Sequence, residues 1–279
     1  MAKLNFNFDS CKRFLLALIK RFSDDEIPAL SAQLSYFFLL SLFPLLIFVV
    51  ALATYLPIDY QEIIDVVGTY MPEEVTAMIE GNLNQILMAS GGGLLSFGIL
   101  GTLWSASNGL KAIMRSLNKA YGVDENRSFL LGRILAITLL ISVLLLIVVA
   151  LLLPIFGRMI GIYVFSFFGA SEQFIAVWNA LRWIISSSIF FIVFLYLYKM
   201  APNVRVYLRD AIWGALFATI GWQISSLGFS YYVNTMGNYS ATYGSLGAVI
   251  VLMIWFYISG IIIITGGEIN ALVAEYKGR

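Results

Sequence analysis

The chain has 279 residues, 60% of them apolar or aromatic and 12% charged, with 17 Lys and Arg against 16 Asp and Glu and a net charge of +1. An ordinary soluble domain carries about a quarter charged residues and could not cover this much apolar surface, and the even charge balance lacks the basic field of a nucleic-acid binder. One cysteine, Cys11, and no histidine exclude disulfides, thiolate metal clusters, Cys/His nucleophilic pairs and His-based acid–base work.

The first element is amphipathic. Phe14, Leu15, Leu18, Ile19 and Phe22 share one helical stripe, with Lys12, Arg13, Lys20 and Arg21 around the rest. That pattern predicts a helix floating in the interface of the cytoplasmic leaflet, with a helix packed on the bundle as the alternative. The apolar run that follows is longer than a signal-peptide core, so it is expected to remain as an uncleaved anchor. Ser23-Asp24-Asp25-Glu26 fits a capping box, with Ser23 as N-cap and Glu26 at N3, opening the next helix.

Six apolar runs follow, at about 30–56, 91–110, 130–156, 178–198, 211–232 and 245–267, each close to the ~20 residues that a bilayer requires. The second is rich in Gly and Ser, which suits close helix packing more than lipid exposure. Charge supports its span: residues 57–89 hold six acids and no cation, whereas 111–133 holds five cations. Six spans place 15 of the 17 cations inside and leave only Arg158 and Arg182 outside. Around Pro72, apolar residues at helical spacing predict two short amphipathic helices on the outer surface.

The expected fold class is therefore an all-α integral membrane protein of six transmembrane helices, N-in/C-in. An N-terminal amphipathic interfacial helix and short extracytoplasmic amphipathic helices between spans 1 and 2 complete it. Residues 1–28 form the cytoplasmic amphipathic segment, 29–272 the six-helix membrane domain, and 273–279 a cytoplasmic tail.

At residues 31–46 the string Ser-Ala-Gln-Leu-Ser-Tyr-Phe-Phe-Leu-Leu-Ser-Leu-Phe-Pro-Leu-Leu resembles the first-span signature of the YihY/BrkB family of bacterial membrane proteins. Four further strings match in order. Trp104, Ser105, Asn108, Gly109 and Leu110, with Asn118, Ala120 and Tyr121, resemble the second-span motif. Pro202-Asn203 with Asp210 to Ala215, Tyr243 to Ala248, and Gly266-Gly267-Glu268-Ile269-Asn270 resemble later ones, the last with Gly where Ala is usual. The resemblance implies a six-helix protein of the bacterial cytoplasmic (inner) membrane. It also carries an old label, ribonuclease BN, and proposals of a role in transport or lipid export. The residues argue against the label, because a metal-dependent nuclease needs clustered His and Asp ligands and a basic groove for RNA.

Candidate functional residues are the polar, kinked and aromatic positions in or beside the spans. Pro44 removes a backbone bond and frees the carbonyl of Leu40, which Ser41 can help to satisfy; the kink serves either a hinge or packing. Gln33, Asn108 and Gln223 should face the interior, as interhelical glue singly or as a pathway together. Tyr36 and Trp104 join them from the motif strings. Glu268, the only carboxylate in or bordering the last span, is a proton, cation or salt-bridge site, and Arg209, Lys111 or Arg115 would neutralise it. Asp210 and Arg182 read as cap or snorkelling residues. The uncharged connection 234–247, with Tyr239, Tyr243, Gly244 and Ser245, either dips into the bilayer and offers backbone N–H groups to an anionic group or forms an aromatic belt.

These features favour a transporter or lipid translocator whose interior polar residues line a pathway. A non-transporting scaffold or envelope-integrity factor is the rival, and an intramembrane enzyme has no assembled nucleophile and base. No cofactor, metal or nucleic acid is expected. The expected partners are membrane lipids, a small-molecule or lipid substrate, and further copies of the chain. There is no G-x-x-x-x-G-K-S phosphate loop, so active transport would draw on an ion gradient or a partner.

Overall fold

The computed structural model describes residues 8–53, 92–142, 172–236 and 245–278. Among them the regular structure is entirely helical, in seven helices: α1 Phe8–Asp24, α2 Ile27–Ala53, α3 Gly92–Ala120, α4 Phe129–Ser142, α5 Glu172–Met200, α6 Leu208–Met236 and α7 Ser245–Tyr276. Within α7, Val249–Tyr276 is long and apolar enough to cross a bilayer, and Ile27–Ser41, Phe129–Ser142 and Ile184–Met200 are shorter apolar helices. The expected outer helices within 57–89, and Tyr239, Tyr243 and Gly244, lie outside the described residues.

Two compact units make up the chain. The first comprises Met1–Ile27, Ile113–Gln223 and Ile262–Arg279, and the second Pro28–Ala112 and Ile224–Ile261. In the first unit α6 turns Ala211, Gly214, Ala215 and Ala218 inward while Trp213, Leu216, Phe217 and Ile220 stand exposed. Small residues inside and large apolar ones outside invert the pattern of a soluble protein, and the inversion is stable where the surroundings are themselves hydrocarbon. Helix α4 also turns large apolar residues outward, Phe129, Leu130 and Leu131, while burying Ala136, Leu139 and Leu140.

Two glycines set the close approach of α6 and α7. A Cβ on Gly214 would overlap the carbonyl oxygen of Gly266, and one on Gly266 would overlap the Tyr198 hydroxyl. Backbone-to-backbone contact of α6 with α7 therefore depends on both positions lacking a side chain. In the second unit Gly260 lies against the backbone of Ser31, and Gly109 against the ring of Phe38.

The link from α1 to α2 corrects the expected capping box. Ser23 lies inside α1, and α2 begins only at Ile27, with Pro28 in its first turn where no amide donor is needed. Glu26 is not an N3 residue. It sits at φ 55°, its amide on the Ser23 carbonyl at 3.1 Å and its carboxylate 3.5 Å from Lys119 Nζ. Helix α1 outruns the capping signal because its last turn is held by tertiary contacts, described next.

Candidate functional site

Within the first unit helix α1 packs on α7 and the end of α3, which corrects the expectation of a floating helix in favour of its alternative. Phe14 packs on Tyr276 with ring centroids 6.0 Å apart. Arg21 donates from Nη1 to the Ala120 carbonyl at 2.9 Å and to Glu268 Oε2 at 3.3 Å, and from Nη2 to Glu275 Oε2 at 2.6 Å. The predicted apolar stripe is split: Phe14, Leu18 and Phe22 are half-buried, while Leu15 and Ile19 are exposed. One guanidinium satisfying three acceptors decides the docking.

Glu268 is wholly buried. Its partner is Arg21, not Arg209, Lys111 or Arg115, so the cation comes from the amphipathic helix and not from a span end. Its other oxygen, Oε1, has no hydrogen-bond partner. Positions 268 and 275 are two helical turns apart on α7 and present their carboxylates to the same cation.

The opposite side of α7 meets α5 and α6. Asn270 accepts from the Gly214 amide at 2.6 Å, and Tyr198 donates to the Ile263 carbonyl at 2.8 Å. Asp210 lies in the first turn of α6 and is buried: it is 1% exposed and accepts from Lys277 Nζ at 2.6 Å. The Tyr121 hydroxyl is buried without a hydrogen-bond partner. Burial first, then the carboxylates of Asp210 and Glu268, push its phenol well above the ordinary range.

The connectors join this polar layer. Asn118 donates to Glu125 at 2.8 Å and accepts the Asn203 amide at 2.6 Å, and the Asn203 carboxamide donates to the Asp124 carbonyl at 2.9 Å. Arg127 donates to the carbonyls of Ala201 and Pro202, holding the turn between α5 and α6. Three motif strings therefore meet here, through Asn118 with Asn203 and Gly214 with Asn270.

A separate groove opens on the side of the first unit between α5 and α6. It is a shallow, open depression of about 490 Å³, lined by Ile184, Ser187, Ser188, Phe191, Leu216, Thr219, Ile220 and Gln223. Gln223 donates to Ser187 Oγ at 2.9 Å. Its polar lining carries no charge, Ser188 and Thr219 donate back to the carbonyls of Ile184 and Ala215, and Ile184 and Ile220 are exposed.

The other predicted residues fall elsewhere. Gln33 is exposed rather than interior, because the buried face of α2 is Ile27, Ser31, Leu34 and Ser35, and Gln33 points away from it. Tyr36 and Trp104 are exposed, and Asn108 is half-buried. Ser41 is buried and donates to the Phe38 carbonyl at 2.8 Å, not to Leu40. Helix α2 runs on through Pro44, and Ser245 begins α7. Sequence reasoning missed Arg21, Asp210 and Asn270 as members of the buried layer. For Asn270 the signal was present, since it closes the last motif string.

Residues 18–279 match the family described as Virulence factor BrkB. A Bacillus subtilis protein named putative ribonuclease-like protein YfkH is 53% identical over 95% of this chain and 96% of its own length. A UPF0761 membrane protein of Alkalilimnicola ehrlichii is 29% identical over 95% of this chain, which spans 59% of that protein's length. One from Vibrio parahaemolyticus is 26% identical over 99% of this chain and 87% of its own length. No solved structure matches.

Proposed function

The chain belongs to the BrkB family of membrane proteins, and from that premise we propose that it is a lipid or amphiphile translocator of the bacterial cytoplasmic membrane, without enzymatic activity. In this reading six helices cross the bilayer with both termini in the cytoplasm, as the sorting of Lys and Arg favours. The supporting observation is the side-opening groove between α5 and α6. In the six-span topology it lies within the fourth and fifth spans. Ser187, Ser188, Thr219 and Gln223 then offer hydrogen bonds to a polar head at a depth where lipid tails offer none, while Ile184 and Ile220 face acyl chains. Buried Glu268 is the carboxylate through which an ion gradient would act.

The ribonuclease-like name of the Bacillus relative does not extend to this reading. The chain contains no histidine and has a net charge of +1, a poor basis for metal-assisted cleavage of RNA. A scaffold is the second reading, favoured by the backbone contact at Gly214 and Gly266, which suits a rigid bundle.

The test is reconstitution into vesicles of fluorescent phospholipids and glycolipids, with wild type, Gln223→Leu and Glu268→Gln compared under an imposed proton gradient. Transbilayer movement should exceed that of protein-free vesicles and fall at least about tenfold in Gln223→Leu, the rate equivalent of about 1.4 kcal/mol. If the wild type moves no lipid faster than empty vesicles, translocation is refuted and the scaffold stands.

A further inference from the structure

Helix α1 presents two different faces. The docked one carries Phe14 and Arg21 and is occupied by Tyr276, Ala120, Glu268 and Glu275. The other exposes Leu15, Leu16 and Ile19 at 52%, 57% and 66%, beside exposed Lys12, Arg13 and Lys20. Adjacent exposed apolar side chains with cations at their edge are poorly matched to water. They match the boundary where acyl chains meet acidic head groups.

We propose that the outer face of α1 is a binding site for anionic phospholipid head groups, and that lipid bound there keeps Arg21 seated on Glu268 and Glu275. The inference rests on the membrane placement proposed above and not on transport. Two observations select lipid over a soluble acidic partner. Helix α1 ends at Asp24 and α2 begins at Ile27, so the face stays within a few residues of the bilayer. The three exposed leucine and isoleucine side chains also have room to enter an acyl layer, where a hydrated acidic surface would leave them uncovered. Charge selects the head group, since each Lys or Arg at an anionic surface strengthens binding about fivefold, and three together roughly 100-fold.

The docked and lipid faces belong to one rigid helix, so the position of one sets the position of the other. Withdrawal of α1 would remove Arg21 from a carboxylate that is fully buried. The neighbouring charges that bear on the latch are Asp25 and Lys119, which act on Glu268 together with Arg21. Bound lipid therefore acts on the buried layer without touching it.

The experiment uses the full chain in neutral detergent, titrated with phosphatidylglycerol or phosphatidylcholine. Hydrogen exchange of the α1 amides and retained lipid by mass spectrometry are the readouts. Phosphatidylglycerol should protect α1 at roughly 100-fold lower mole fraction than phosphatidylcholine, and Lys12→Gln/Arg13→Gln/Lys20→Gln should erase the difference. Lys12→Gln/Lys20→Gln serves if the triple variant folds poorly, and should cut the preference roughly 25-fold, leaving about fivefold. Arg21→Gln should still retain phosphatidylglycerol while losing the added protection. Equal protection by both lipids, or undiminished preference in the charge variants, overturns the proposal. Both results are independent of whether any lipid is moved across the bilayer.

Discussion

Arg21→Gln should be among the most destabilising changes available on a partly exposed residue of this protein. Removing one partner of a fully buried ion pair costs about 3–5 kcal/mol, because the remaining charge is left without compensation. Here the carboxylate end is wholly buried while the Arg21 side chain keeps 26% of its exposure, so water screens part of the loss. The contacts to Ala120 and Glu275 go as well, the latter with a partner 67% exposed and worth little. The net expectation is about 2 kcal/mol. Glu268→Gln removes the buried charge itself and should cost less. The double variant should then recover about 1–2 kcal/mol relative to the sum of the single changes. Chaotrope unfolding of the purified protein in mild detergent at neutral pH measures all three. Arg21→Gln within about 0.5 kcal/mol of wild type, or strictly additive losses, would refute the account of α1 docking through this pair.

Gly214→Ala should destabilise by about 1–3 kcal/mol, because the added methyl meets the Gly266 carbonyl and the Asn270 carboxamide in a seam with no room to yield. The same unfolding assay checks it, and an unchanged midpoint would contradict the close approach. Tyr121→Phe should be neutral at pH 7, since its hydroxyl has no partner to lose. At alkaline pH the sign follows from the raised phenol: the unfolded chain ionises near pH 10 while the folded one holds its proton. Tyr121 is thus neutral to stability below pH ~10 and destabilises the fold progressively as pH rises above it. The wild type should lose stability above that pH more steeply than Tyr121→Phe, and parallel curves would show that the phenol is not shielded.

Much of the architecture was legible because the bilayer imposes simple rules on sequence. Long Leu- and Ile-rich runs mark helices such as Val249–Tyr276, and each residue reports its own transfer energy. Gln223 was legible too, since a carboxamide in an apolar helix needs a partner, and Ser187 supplies it. Gln33 misled because an isolated polar residue does not reveal which way its helix is turned. Only the contacts of Ser31 and Leu34 fix that rotation. The capping box at Ser23 was a local signal overruled by distant ones: Arg21, three residues from Asp24, is anchored to Ala120, Glu268 and Glu275, and the helix continues to Asp24.

Composition, span-length apolar runs and the motif strings were enough to determine a helical membrane protein of this family. Those properties depend on each residue's own transfer energy or on neighbours a few positions away. The pairing of Arg21 with Glu268, of Asp210 with Lys277 and of Asn118 with Asn203 belongs to the tertiary structure alone. Each joins residues far apart in the chain. A charge or carboxamide can choose among many partners until helix rotation and packing bring one of them within 3.3 Å, as Arg21 is of Glu268.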